Sequence, residues 1–125
     1  MVREVVRGEG WRWRSGRRWS WLEHTTVVLY SAFGRSPLLN SGGGRDHHLH
    51  RAAVLAGGGV RGGHVLGRSS DFGMAPTPTD LQTGLPSEGG VTLRPEHLFR
   101  ATIDRHGLEP DAGDFDVRPL SAIYG

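Results

Sequence analysis

Residues 41–63 read SGGGRDHHLHRAAVLAGGGVRGG, and they reveal more about fold and chemistry than the rest of the chain. Two glycine runs flank a polar cluster of Asp46, His47, His48 and His50, which a short apolar segment follows. Glycine lets the backbone turn tightly, and neighbouring imidazole and carboxylate groups are ligands of divalent metals. The stretch therefore predicts a glycine-rich loop with a metal site for zinc, manganese or calcium.

Within the cluster, Asp46 and His47 are the predicted metal ligands. The loop lies between two predicted strands, which is where α/β proteins often place their ligand-binding residues. The alternative is a solvated polar loop without a metal, in which His48 and His50 cap neighbouring backbone groups. The residue types alone leave both interpretations open.

Two other groups near the cluster are candidates for anion binding. Arg35 and Arg45 are close in sequence, and guanidinium groups bind anions through paired hydrogen bonds, so we predict an anion-binding role for both. Gly57 to Gly59 resembles a phosphate-binding turn only weakly, because neither a GK[ST] nor a GxGxxG motif is present. A tight turn is the favoured role for these glycines.

Short apolar runs on both sides of the loop predict strands. Residues 25–30, TTVVLY, are β-branched and apolar, which is typical of a strand buried on both faces. Residues 51–56 predict a second strand, and residues 60–66 a hairpin return. With 20 glycines in 125 residues, the chain favours a loop-rich α/β fold with few strands.

The C-terminal part predicts a surface loop and one helix. Residues 69–90 contain three prolines and, before the final Gly90, three glycines. This composition predicts the loop. Thr92 is the expected N-cap of the helix, with Pro95 and Glu96 in its first turn. Gly107 is expected to end the helix.

Composition excludes several classes of protein. The chain has no Cys, so disulfides and thiolate metal sites are excluded. It has neither an apolar run long enough for a membrane span nor the apolar core of a secretory signal. The formal net charge is +2, but the charge is unevenly distributed along the chain, because residues 1–18 contain six Arg and only two Glu.

Residues 1–21, which we call the Arg/Trp segment, differ from the rest in composition. They contain all four Trp of the chain, interleaved with Arg: Trp11, Trp13, Trp19 and Trp21. We expect this segment to be disordered and to precede one domain at residues 22–125. The alternative is that the segment binds nucleic acid or a membrane surface, with Arg on phosphates and Trp on bases or at the bilayer interface. No nucleic-acid binding is expected elsewhere.

The order of the motifs resembles the C-terminal section of domain-of-unknown-function family 1501, a sulfatase-like group of the alkaline phosphatase superfamily. The resemblance rests on FGRSP at 33–37, Asn40, GRDH at 44–47 and AGGGVRGG at 56–63. The later VTLRPEHLFRATIDRHGL, residues 91–108, is similar to the closing helix of that family. The resemblance implies an α/β fold and relatives that are exported bacterial proteins. It also implies that these relatives are metal-dependent hydrolases of sulfate or phosphate esters.

The resemblance also implies specific roles and gaps. It points to His47 as a ligand of one of two divalent metals, with Asp46 as its neighbour or orienting partner. The family places a Glu where this chain has Ala32, and Ala cannot coordinate a metal. Relatives carry their nucleophile and other ligands in a long N-terminal portion. We therefore expect a truncated protein that is inactive alone but retains some affinity for divalent metals.

Overall fold

The computed structural model describes residues 21–109 and 116–124. Their architecture is a mixed α/β arrangement of two small antiparallel sheets and one longer helix. The elements in chain order are α1 (Trp21–His24), β1 (Thr26–Tyr30), β2 (Gly34–Arg35), β3 (His47–His48), β4 (Ala53–Gly57), α2 (Pro95–Arg105) and a 3-10 helix (Ser121–Ile123).

Strands β1 and β4 form the larger sheet and pair antiparallel, with Thr26 opposite Gly57 and Tyr30 opposite Ala53. Both predicted strands are present, but the prediction that residues 25–30 are buried on both faces is wrong. Burial alternates along β1 because only one face packs on the protein. On the other face, Leu29 is 71% exposed and Val54 is 63% exposed.

The smaller sheet is the base of a hairpin. Gly34 pairs with His48 and Arg35 with His47, so β2 and β3 close a loop of residues 36–46. Close approach of the chain explains Gly34, since a Cβ there would lie 2.2 Å from the carbonyl oxygen of His50. Any side chain at this position would separate the two ends of the hairpin.

Helix α2 begins at Pro95, and Glu96 lies in its first turn, as expected. The N-cap is Arg94, so the prediction of Thr92 is wrong; the fixed φ of Pro95 suits the first helical position and sets the start instead. Gly107 ends the helix with φ +65°. The N–H of Leu108 donates to the carbonyl of Ile103 (3.2 Å) and that of Gly107 to Asp104 (3.1 Å), which is a Schellman motif.

The core lies between α2, the C-terminal segment and the loop that precedes the helix. Its buried apolar residues are Leu81, Ala101, Leu120, Ala122 and Ile123. Residues 60–66 do not form the predicted hairpin return. Val60 instead pairs with Tyr124, and the N–H of Arg61 donates to the carbonyl of Ile123 (2.8 Å), so the C-terminal segment replaces the expected local partner.

The loop of residues 69–90 is irregular, as predicted, but it is internally bonded. Thr79 is fully buried and exchanges two backbone hydrogen bonds of 2.9 Å with Val91. At the next residue, Oδ1 of Asp80 accepts hydrogen bonds from the backbone N–H groups of Gln82 (2.9 Å) and Thr83 (2.8 Å) and from the Thr83 hydroxyl. None of the described helices is long and apolar enough to span a membrane.

The Asp80 turn should make the fold sensitive to acid. Hydrogen bonds from the Thr83 backbone and hydroxyl, and from the backbone of Gln82, stabilise the ionised carboxylate and lower the pKa of Asp80 below its usual 3.8. A carboxyl whose pKa is lower in the folded state stabilises the fold above its unfolded pKa, and this contribution is lost as pH falls. Chemical unfolding should therefore show stability falling between about pH 5 and pH 2.

Asp80→Asn isolates this contribution, because the amide oxygen can still accept hydrogen bonds but carries no charge. The variant should be less stable than the wild type at neutral pH, and the two proteins should converge at about pH 2. A stability difference that stays constant over this range would contradict a role for the charge.

Candidate functional site

The hairpin loop of residues 36–46 is organised by Asn40. Its Oδ1 accepts hydrogen bonds from the N–H groups of Gly42 (3.1 Å) and Gly44 (2.9 Å), and its backbone N–H donates to the carbonyl of Gly44 (2.8 Å). Its Nδ2 donates to Oδ1 of Asp46 at 2.8 Å. Asn40 therefore stabilises the turn of residues 42–44 and holds one carboxylate oxygen of Asp46, a predicted metal ligand.

The two arginines predicted to bind anions also hold the loop together. Nη1 of Arg35 donates to the carbonyl of Arg45 at 3.0 Å. Nη1 of Arg45 donates to the carbonyls of Ser36 (3.0 Å) and Pro37 (2.6 Å). Both arginines are exposed residues, and anion binding by them stays a prediction.

His47 is exposed and lies in β3, opposite Arg35 at the base of the hairpin. Its ring stacks on Phe33 with centroids 3.7 Å apart and planes inclined by 19°. The guanidinium carbon of Arg35 lies 4.8 Å from the centroid of the same Phe33 ring, a distance at which a cation is attracted to an aromatic face. Phe33 thus orients the imidazole of His47 while the ring remains accessible.

His48, but not the His50 side chain, makes the backbone contact that the polar-loop interpretation predicts. Both are half-buried. Nδ1 of His48 accepts a hydrogen bond from the backbone N–H of His50 at 3.2 Å, so one histidine caps the backbone of the other. This lone pair of His48 is occupied, which leaves His47 as the most accessible imidazole of the cluster.

The glycines at 57–59 form a tight turn, as favoured by the sequence. All three have positive φ: +82° at Gly57, +52° at Gly58 and +79° at Gly59. The N–H of Gly58 donates to the carbonyl of Leu22 (2.6 Å), and that of Val60 to Gly57 (2.8 Å). These N–H groups are occupied by the chain itself, which argues against a phosphate-binding role.

The same turn links the large sheet to helix α2. Nε of Arg105 donates to the carbonyl of Gly58 at 3.0 Å, and its guanidinium carbon lies 5.8 Å from the ring centroid of Tyr124. Nearby, Nε2 of His106 lies 3.2 Å from the hydroxyl oxygen of Thr26. The glycine turn therefore connects the β1–β4 sheet, whose two strands flank the hairpin in the chain, to the end of α2.

Within residues 21–109 and 116–124, no three potential ligands among His, Cys, Asp and Glu lie close enough together to hold a metal ion. Asp46 immediately precedes β3, which begins at His47. Ala32, where the resemblance expects Glu, is exposed and carries no ligand atom. Metal binding by Asp46 and His47 stays a prediction.

Sequence reasoning missed two residues that organise the molecule. The sequence analysis assigns no structural role to Asn40. However, an Asn that precedes a glycine run commonly accepts hydrogen bonds from the N–H groups that follow it. His97, on α2, is only 6% exposed, and its Nδ1 lies 2.8 Å from the carbonyl oxygen of Arg118. No local signal identifies His97, because its partner lies 21 residues away.

Comparison with protein families places these observations in context. The model of a family described as a protein of unknown function (DUF1501) matches residues 17–89, which is more than half of the chain. The chain therefore belongs to this family. The match contains the hairpin and the glycine turn and ends before α2. No curated protein and no solved structure matches the chain.

Proposed function

We propose that this chain is a section of a sulfatase-like or phosphatase-like protein and that its hairpin supplies His47 as an imidazole ligand for a divalent metal. Asp46 lies beside it as a second ligand or as an orienting residue. One observation carries the proposal: His47 is exposed, yet its ring is oriented by stacking on Phe33 at 3.7 Å. An accessible and oriented imidazole suits zinc, and the neighbouring carboxylate suits manganese.

The surrounding contacts support the same role. Asn40 holds Asp46 through a hydrogen bond of 2.8 Å, and loop carbonyls hold both arginines. The carboxylate therefore has a fixed position, as residues next to metal ligands commonly do. The guanidinium groups of Arg35 and Arg45, both exposed residues, would attract the anionic group of a sulfate or phosphate ester.

In such a protein, a bound metal would neutralise charge on the ester and activate a nucleophile. The hairpin's contribution is to bind and orient. The described residues offer fewer than three gathered ligands, and a methyl group stands at Ala32. We therefore propose weak metal binding and no turnover by this chain alone.

Calorimetric titration with zinc and with manganese tests the metal ligand. We expect His47→Ala to weaken binding by about tenfold or more, since an accessible imidazole is lost. His64→Ala is the matched control, because His64 is also exposed but lies outside the hairpin. Equal affinities for the wild type and His47→Ala would exclude His47 as a ligand.

Restoring a carboxylate provides a gain-of-function test of the same site. Position 32 adjoins Phe33, on which His47 stacks, so Ala32→Glu should tighten metal binding, whereas Ala32→Gln should do so much less. Chromogenic sulfate and phosphate monoesters should show no turnover with the wild-type chain. Hydrolysis that disappears in His47→Ala would contradict the proposed inactivity.

The alternative function, binding of nucleic acid or of a membrane surface by the Arg/Trp segment, stays a prediction. Residues 1–20 lie outside the described part of the chain, as does the expectation that they are disordered. Deletion of the segment should abolish such binding, and added salt should weaken the nucleic-acid form steeply.

A further inference from the structure

We propose that the chain self-associates head to tail, with the Phe72 ring of one copy inserted into a surface cavity of a second copy. The cavity lies between α2 and the 3-10 helix and has a volume of about 280 Å³. Phe72 lies in a turn of residues 71–74 and is 93% exposed. The proposal concerns a contact between proteins and is independent of metal binding at the hairpin.

The turn of residues 71–74 holds the backbone at Phe72 in one conformation. The N–H of Ser70 donates to the carbonyl of Ala75 (2.8 Å), and the Ser70 hydroxyl donates to the carbonyl of Phe72 (2.6 Å). Met74 has φ +54°, which residues with a Cβ rarely adopt and which persists only where surrounding contacts hold it. Because the turn is already ordered, little backbone freedom is lost when Phe72 binds.

The cavity has the size and the lining that an aromatic ring needs. Its apolar lining comes from Ala101, Pro119 and Tyr124. An apolar cavity of about 150 Å³ accommodates a benzene ring, so the larger volume here is sufficient for the ring of Phe72. A single exposed apolar side chain is common on protein surfaces. Phe72 is distinctive because the same chain also carries a cavity that fits it.

The charges beside Phe72 and beside the cavity are complementary. Asp71, which immediately precedes Phe72, is exposed, and Arg105 lines the cavity. The other charged residue of the lining, Asp104, is paired with Arg100 at 2.8 Å. A carboxylate that arrives with the Phe72 ring therefore meets the positive charge of Arg105. Such complementary charges guide association and fix the orientation of the partners.

The positions of Phe72 and the cavity define the kind of assembly. Phe72 does not line the cavity of its own chain, so the contact joins two copies. Each copy can insert Phe72 into one neighbour and receive the Phe72 of another, which is a heterologous contact. Heterologous contacts produce rings or open chains. We therefore expect assemblies larger than a dimer as the protein concentration rises.

Sedimentation velocity of the full chain across a wide range of concentrations measures this association. Phe72→Ala should weaken it by about tenfold or more, because an aromatic anchor is lost. Asp71→Arg should also weaken it, because a second positive charge is placed against Arg105. Val65→Ala is the matched control: Val65 is 88% exposed outside the turn, and its truncation should change nothing.

A mixing experiment tests the head-to-tail geometry. Ser121 is an exposed residue of the cavity lining, so Ser121→Trp should block the cavity while leaving Phe72 intact. Phe72→Ala and Ser121→Trp should each be monomeric alone, whereas their mixture should form a dimer that does not grow further. Circular dichroism verifies that both variants are folded.

Several outcomes would overturn the proposal. A wild-type chain that stays monomeric at every concentration would do so. Self-association that persists unchanged in Phe72→Ala and in Asp71→Arg would assign the contact to another surface, such as the exposed face of the β1–β4 sheet. A folded Ser121→Trp variant that associates like the wild type would show that Phe72 does not enter this cavity. A mixture of the two monomeric variants that forms no dimer would exclude the head-to-tail contact.

Discussion

Replacing Gly57 by Ala should lower the free energy of unfolding by about 3 kcal/mol or more. Gly57 has φ +82°, a conformation that costs a residue with a Cβ about 1–2 kcal/mol. In addition, a Cβ there would lie 2.3 Å from the carbonyl oxygen of Thr25 and 2.9 Å from that of Leu22. Both are backbone atoms, so no side-chain rotation can relieve the contact. The connection between α1 and the large sheet must therefore shift.

Substitutions of two other glycines distinguish the strain of a positive φ from the close contacts of the added Cβ. Gly63 also has positive φ, +78°, but a Cβ there meets nothing within 4 Å, so Gly63→Ala should cost only the strain of about 1–2 kcal/mol. Gly62 has neither positive φ nor a close neighbour, so Gly62→Ala should be neutral or slightly stabilising. Urea unfolding of the three variants measures the series. Equal effects of Gly57→Ala and Gly63→Ala would show that the close contact is unimportant.

Local signals in the sequence predicted several elements correctly. The glycine run at 57–59 indicated a tight turn, and the structure gives all three residues positive φ. Gly107 indicated the end of α2 and Pro95 its first turn, because proline and glycine each act through their own backbone geometry, whereas the N-cap was predicted at Thr92, two residues before the observed Arg94. Both strands of the large sheet were also predicted from residue type, although β4 begins and ends slightly later than expected.

Features that depend on distant residues were not predictable. The run at 25–30 has no polar alternation, which suggested burial on both faces, but one face of the β1–β4 sheet is exposed among the described residues. Val60 pairs with Tyr124, far along the chain, in place of a local hairpin. In the hairpin, the candidate residues could be chosen from the sequence by their side-chain types. The stacking of His47 on Phe33 depends on strand pairing that no local pattern specifies.

His97 gives the second large predicted effect, through the C-terminal segment. Nδ1 of His97 donates to the carbonyl of Arg118 at 2.8 Å, and the carbonyl of His97 accepts a hydrogen bond from the N–H of Leu120 at 2.9 Å. These bonds hold Ala122 and Ile123 in the core. His97→Ala should lower the free energy of unfolding by about 2–3 kcal/mol, because it removes a buried ring, which leaves a cavity, and leaves the carbonyl of Arg118 without its donor.

The hydrogen bond can be separated from the packing. A carbonyl can only accept, so Nδ1 carries the proton, and the side-chain amide of His97→Asn can donate from a similar position. This variant should recover about 1 kcal/mol relative to His97→Ala. His64→Ala is the control, since His64 is exposed and its loss should change stability by less than about 0.5 kcal/mol.

Limited proteolysis distinguishes local release of the C-terminal segment from global destabilisation. If His97 anchors this segment, cleavage within residues 116–124 should increase in His97→Ala under conditions where the rest of the chain stays resistant. The segment supplies three of the five buried apolar residues of the core, Leu120, Ala122 and Ile123, so its release should also expose Leu81 and Ala101. Cleavage distributed evenly along the chain would show global destabilisation and would contradict local anchoring of the segment by His97. Full recovery by His97→Asn would assign the whole effect to the hydrogen bond with Arg118.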